Sequence, residues 1–372
     1  MPNPVTQDSA VIPNSTAKRT SYIPTLDGWR CLAVSLVIGA HCSPMLINSK
    51  TRVGSLAAEF LDHAGYGVDI FFALSGYLIC TFLIQEKNRT GTISLGRFYT
   101  RRAFRILPPI ILYLSILLIL SICDLLHQIS VADILHVLLF ARNYFLGTWY
   151  TGHFWSLAVE EHFYLVAPLI LLVLSTKWAM RAALVLILLC ISIRWFEFAH
   201  FTSSSSLLQF RTENRFDGLL WGCVVALLLH KPWIRERAAK HVNSICVAIV
   251  LPAAIVLLMV FTSTPARRTV VAAVMPILIS YTVLHPASIF GKILELSVLR
   301  WVGRLSYSLY IWQMLFLPPG PRPLGPLQSF PFALILALAC AVCSYYLVEK
   351  PMLRVGHRLA GASGERPSGR YS

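Results

Sequence analysis

Apolar residues in this chain come in long, nearly uninterrupted runs, without the alternation of a half-buried strand or the three-four spacing of a surface helix. Ten runs stand out, at about 31–47, 66–84, 106–123, 154–174, 181–199, 215–230, 243–262, 269–285, 302–318 and 330–348. A segment of about 20 apolar residues crosses the hydrocarbon core of a bilayer. Backbone groups in lipid must be satisfied within the segment, so each run predicts a helix. An eleventh stretch, 131–146, is shorter and carries Asp133, His136 and Arg142, which suits an interfacial or re-entrant segment. The pattern predicts an all-α polytopic transmembrane bundle of ten or eleven helices.

Composition agrees and removes the soluble classes. Of 372 residues 56% are hydrophobic and 13% charged, where a soluble domain carries about 25% charged residues. Residues 1–21 and 357–372, rich in Pro, Ser, Gly and Thr, predict a disordered arm and tail around a membrane domain at 22–356. The first run follows Arg30 with no small-residue cleavage site and reads as an uncleaved first helix. The net charge of +15 would invite a nucleic-acid reading. With the N-terminus inside, however, 23 of the 32 Lys and Arg fall in cytoplasmic segments and 8 on the other side. That bias is the positive-inside pattern for ten helices with both termini cytoplasmic, so no nucleic acid is needed to explain it. Cys340 and Cys343 form a C-x-x-C inside an apolar run with no histidine nearby, and no metal site is expected.

Ionisable groups within spans are costly and point to function. Arg30 and His41 are eleven residues apart, close to three helical turns, so they share one face about 16 Å apart along the axis. Arg30 falls at the cytoplasmic end and His41 in the outer half. Counted from span ends at 47 and 154, His41 and Glu160 both lie about 9 Å below the outer boundary, deep enough and level enough to form a pair. The packing alternative is a core histidine bonded to a carbonyl, with Glu160 or Glu161 paired to an arginine. Asp69, Arg215 and Asp217 begin other spans near the same level, which predicts a water-filled outer cavity. Between the second and third runs, Arg97, Arg101 and Arg105 repeat at i, i+4 with Arg102 beside them. Such a stripe suits either anionic lipid head groups or a phosphate ligand. Pro108 and Pro109 then give the third span a stiff start.

Together these residues resemble the bacterial membrane acyltransferases of acyltransferase family 3, the O-acetyltransferases of surface polysaccharides and antibiotics. The resemblance covers about 22–356. It rests on Arg30-x10-His41, on Gly67 to Tyr77 (GVDIFFALSGY), on Arg101-Arg102-Ala103-Phe104-Arg105, and on Trp155-Ser156-Leu157 with Glu160. Arg215-Phe216-Asp217, Ser306-Tyr307-Ser308-Leu309-Tyr310 and Glu349-Lys350-Pro351 follow in the same order. One position departs: Gln313 stands where many members carry histidine, and a glutamine cannot serve as a base.

The resemblance implies a multi-pass protein of the bacterial cytoplasmic (inner) membrane that uses an acyl-CoA, acetyl-CoA in the first instance, as donor substrate. No cofactor is held permanently. The expected acceptor is a hydroxyl of a carbohydrate, a lipid-linked glycan or a secreted small molecule. In this scheme Arg101, Arg102 and Arg105, with Arg30, hold the donor's phosphates. His41 is the general base, Glu160 fixes its tautomer, and Ser75 or Tyr164 stabilises the oxyanion. Asp69, Trp155, Glu161, Arg215 and Asp217 are candidate acceptor-binding residues. Direct transfer and an acyl-His41 intermediate both remain open. The rival class is a transporter or flippase using the intramembrane His, Glu and Asp as a relay, although no internal repeat of the kind common in transporters is visible. Since the chain ends about 20 residues past its last run, it is expected to work as a membrane domain alone or with a partner.

Overall fold

A computed structural model describes residues 22–47, 66–126, 129–201, 207–241 and 264–362. Among them every regular element is helical. In chain order these are α1 (Pro24–Ile47), α2 (Gly67–Thr90), α3 (Leu95–Ile122), α4 (Val131–Leu138), α5 (Trp149–Gly152), α6 (Phe154–Val173), α7 (Thr176–His200), α8 (Thr212–Leu229), α9 (Pro232–His241), α10 (Thr264–Leu284), α11 (Ile289–Leu294), α12 (Ser297–Phe316), α13 (Phe332–Ser344) and α14 (Lys350–Ala362). A π-helical turn, Tyr345–Glu349, joins the last two.

Six described helices are long and apolar enough to cross a membrane: Gly67–Thr90, Leu95–Ile122, Trp149–Val173, Thr176–His200, Pro265–Leu284 and Phe332–Gly361. Their outward faces carry Ile111, Leu118 and Ile119 on α3, Val185 and Leu188 on α7, and Ile335 on α13, all exposed and suited to lipid. The runs expected at 31–47, 215–230 and 302–318 are helical too, as α1, α8 and α12. Their polar residues turn inward: Asp27 on α1, Asn214, Arg215 and Asp217 on α8, and Ser306, Ser308 and Gln313 on α12 are all buried. The run at 243–262 lies outside the described residues. The stretch at 131–146 holds only the eight-residue α4, too short to span.

Several helices run past the apolar runs. The segment 85–105 is almost entirely helical, because α2 continues to Thr90 and α3 begins at Leu95. Pro108 and Pro109 lie inside α3. Membrane helices tolerate interior prolines because neighbouring groups satisfy what the ring leaves free. The carbonyls the two rings leave free are those of Phe104 and Arg105; beside them the Tyr307 hydroxyl donates to the Ile106 carbonyl and ties α12 to α3. At the other end, α14 runs to Ala362, beyond the domain boundary expected at 356.

The centre of the bundle is built on close backbone approach. A Cβ on Gly76 of α2 would lie 1.9 Å from the Leu219 carbonyl oxygen of α8, and one on Gly303 of α12 would lie 1.9 Å from the Asp27 carbonyl oxygen of α1. Small residues at such crossings let membrane helices pack by van der Waals contact. Gly76→Ala must therefore spread α2 and α8, at a cost of about 1–3 kcal/mol for overpacking. Thermal unfolding in detergent should show a clear drop for Gly76→Ala and none for Gly96→Ala, where nothing lies within 4 Å. Equal melting of the two variants would mean that the helices do not cross this closely.

Two adjoining cavities form a candidate active site

The crossing of α1, α2, α6 and α12 leaves two cavities along the axis of the bundle. The first, of about 130 Å³, is lined by Arg30, Ser75, Arg102, Arg105, Glu160, Glu161, Tyr164 and Tyr307. It lies toward the ends where α1 and α3 begin and α2 finishes. Arg30 is tied to Asp27 one turn earlier, at 2.9 Å. Arg102 lies with its guanidinium 4.2 Å from the centre of the Tyr164 ring. Among the described residues no carboxylate pairs with Arg102 or Arg105. Arg97, in contrast, is held by Glu86 at 3.1 Å, and Arg101 does not line the cavity. The expected stripe is thus divided, and only its Arg102–Arg105 edge faces inward. Beside these cations the Tyr164 hydroxyl donates to Glu160 Oε2 at 2.8 Å and lies 3.0 Å from Ser75 Oγ. Three arginines and two glutamates share this small space, which suits an anion carrying several oxygens.

The second cavity, of about 500 Å³, is lined by His41, Arg142, Trp149, His153, Trp155, Phe210 and Met314. The His41 ring meets the edge of Trp149, with centroids 5.3 Å apart and planes at 80°. Trp149 is fixed in turn by its indole N–H, which donates to the Met314 carbonyl at 3.1 Å. His41 Nδ1 lies 3.2 Å from Gln313 Oε1. His153 is buried against Phe154 at 4.2 Å and Tyr310 at 5.5 Å, and neither ring nitrogen has a partner among the described residues.

The cavities adjoin at Val68 and Tyr310, which line both. The Tyr310 hydroxyl donates to the His153 carbonyl at 2.9 Å and lies 2.5 Å from Ser156 Oγ. That places the Trp155-Ser156 block and the Ser306–Tyr310 block in one wall. Glu349, from the last motif, is buried behind it and accepts from the Ser308 hydroxyl at 2.8 Å.

One rim of the histidine cavity is a folded loop. Ser130 and Asp133 cap α4 reciprocally, and Asp133 also accepts from the Thr148 backbone N–H at 3.2 Å. Arg142 donates to the Thr151 hydroxyl and to the carbonyls of Phe145 and Thr148. Burial pushes the Asp133 carboxyl up, but hydrogen bonds from Ser130 and Thr148, with Arg142 nearby, hold it below the usual carboxylate range. A depressed carboxyl contributes stability above its ordinary pKa and loses it as pH falls. The rim is therefore expected to loosen only in acid.

The predicted residues divide between these places. Ser75, Glu160, Glu161, Tyr164, Arg30, Arg102 and Arg105 gather in the first cavity, and His41 and Trp155 in the second. His41 and Glu160 are not paired. The helical segment starts at Trp149, so Glu160 is eleven residues in, not six, and reaches the level of Ser75 and Arg102. Asp69 pairs with Arg215 at 3.2 Å, and Asp217 with Arg194 at 2.6 Å, all four buried. These three candidates line neither cavity; their ion pairs bind α8 to α2 and α7. Arg215 also stands 5.1 Å from the centre of the Trp155 ring, so it backs a wall of the histidine cavity. Sequence reasoning passed over His153 and Gln313. His153 lies two residues before the Trp155 motif, and Gln313 drew notice only as a residue unable to act as a base. Among the described residues no group of three or more His, Cys, Asp or Glu is arranged to hold a metal.

Comparison with known proteins fits this arrangement. The acyltransferase domain family matches residues 23–349. The O-acetyltransferase OatA of Staphylococcus aureus (strain NCTC 8325 / PS 47) is 27% identical over 369 residues, covering 91% of this chain and 58% of that protein. A putative O-acetyltransferase, SACOL0978, of Staphylococcus aureus (strain COL) is 28% identical over 372 residues, with the same 91% and 58% coverage. The chain thus spans less than two thirds of the length of these relatives. No solved structure matches it at a significant level.

Proposed function

This chain belongs to the acyltransferase domain family, and from that premise we propose that it transfers an acetyl group from acetyl-CoA to a hydroxyl of a carbohydrate or related extracytoplasmic acceptor, with His41 as general base. The observation that carries this reading is the pair of cavities meeting at Val68 and Tyr310, one rich in arginine and the other containing His41. A donor with several phosphates needs the first, and a hydroxyl nucleophile needs the second.

In this reading the protein lies in the bacterial cytoplasmic membrane as ten spanning helices with both termini inside. Arg30, Arg102 and Arg105 hold phosphate oxygens of the donor at the cytoplasmic side. The thioester arm passes between Val68 and Tyr310 toward His41. An acceptor hydroxyl in the histidine cavity then gives its proton to His41 as its oxygen attacks the thioester carbonyl. The carbon–sulfur bond breaks, and the departing thiolate of CoA is protonated by the imidazolium. Ser75, whose oxygen accepts from Tyr164, is a hydroxyl near the path free to donate to the oxyanion; Tyr164 and Tyr310 could do so only by turning from Glu160 and the His153 carbonyl. The aromatic walls, Trp149, Trp155 and Phe210, suit the faces of sugar rings. Glu160 serves the donor side, through Tyr164.

Membranes containing the wild-type protein, given labelled acetyl-CoA on the cytoplasmic side, test the reading. Label should enter one acceptor fraction, glycan, lipid or small molecule, and should fail to enter it in membranes lacking the protein. Absence of transfer with acetyl-CoA and with longer acyl-CoAs, while the protein is abundant, would refute the donor assignment. Glu160→Gln separates the roles further. It should weaken the Tyr164 bond and lower the rate about 10-fold, the scale of one hydrogen bond to a charged group. An unchanged rate would remove Glu160 from the scheme.

A further inference from the structure

His41 has two ring nitrogens, and a general base needs the lone pair on the one that meets the substrate. What sets the tautomer is the partner of the other nitrogen. That partner is Gln313, whose Oε1 lies 3.2 Å from Nδ1. An amide oxygen only accepts, so this contact calls for the proton on Nδ1 and leaves the lone pair on Nε2.

The cost of this glutamine argues that its bond to His41 is the reason for its presence. Gln313 is fully buried, and its amide Nε2 has no partner among the described residues. A buried donor left unpaired is destabilising, and an apolar side chain of similar length would avoid the loss. Trp149 meets the edge of the His41 ring, and its indole bonds to the carbonyl of Met314, the residue after Gln313. One turn of α12 thus holds the imidazole in two ways.

We infer that Gln313 is a positioning residue that fixes His41 in the Nδ1–H tautomer through a neutral amide, in the place where many hydrolases and transferases use a carboxylate. The inference rests on the proposed role of His41 as base. A neutral partner orients the ring but adds no full charge to stabilise the imidazolium. The rate should therefore depend on the geometry at residue 313, and its pH dependence on the charge there.

Gln313→Met and Gln313→Glu, assayed in membranes beside His41→Ala, test this. Gln313→Met should melt near the wild-type temperature: it removes one unpaired donor, the amide Nε2, and leaves another, His41 Nδ1–H. Its kcat should fall about 10- to 100-fold, the usual effect of losing an orienting partner, with KM for acetyl-CoA within about twofold of wild type. Gln313→Glu keeps an acceptor at Nδ1. It should recover most of the rate, with the acid limb of the pH–rate profile moved up by about one unit, as a neighbouring carboxylate does to a histidine. Wild-type kcat in Gln313→Met, or a Gln313→Glu profile that superimposes on wild type, would overturn the inference. If His41→Ala is inactive while Gln313→Met is fully active, only the positioning role falls. Substantial activity in His41→Ala would refute the base assignment itself.

Discussion

His41→Ala is expected to eliminate acetyl transfer while leaving the protein inserted and abundant. Removing a general base costs about 10²–10⁴ in rate, and an acyl-His41 intermediate would be lost with the ring as well. The structural loss is small by comparison. His41 is only partly buried, and it gives up one hydrogen bond to Gln313 and an edge contact with Trp149. A net contribution of about 1 kcal/mol for such a bond should not unfold a bundle of this size. Incorporation of label, normalised to protein in the membrane, is the measurement. A rate within threefold of wild type would move the chemistry away from the histidine cavity.

The second large effect is expected at Arg102. Reversal to glutamate puts a third carboxylate in a cavity that already holds Glu160 and Glu161, and removes the cation stacked on Tyr164. Bonds from a charged donor are worth about 1.5–3 kcal/mol each. The apparent KM for acetyl-CoA should therefore rise about 10- to 100-fold or more, with the deficit partly recovered at high donor concentration. Arg101→Glu, one residue away but outside the cavity lining, should change KM far less. Equal effects of the two reversals would show that this helix end acts through its general charge and not through a phosphate site.

The sequence exposed what one helix determines by itself and concealed what depends on pairs of helices. Arg30 and His41 lie on one continuous helix, so their spacing translated directly into geometry. Six of the membrane runs were legible because hydropathy is local, and family membership because seven blocks occur in order. His41 and Glu160 were placed level because the start of the fourth span was set at the apolar boundary, residue 154. The helical segment actually begins at the polar Thr148–Trp149 junction. Gln313 is 272 residues from His41, and no local signal joins them. The same holds for Arg194 on α7, whose partner Asp217 lies on the next long helix.

Those ion pairs carry a consequence for how the protein is made. An arginine or aspartate opposes insertion of an isolated transmembrane helix, by about 2.5–3.5 kcal/mol at its centre and less toward an end. Arg215 and Asp217 both belong to α8, so this segment has little reason to leave the translocon for lipid alone. Its counter-charges, however, are on helices synthesised earlier: Asp69 on α2 and Arg194 on α7. Both partners precede α8 in the order of synthesis, so the pairs are expected to form as α8 docks against helices already made.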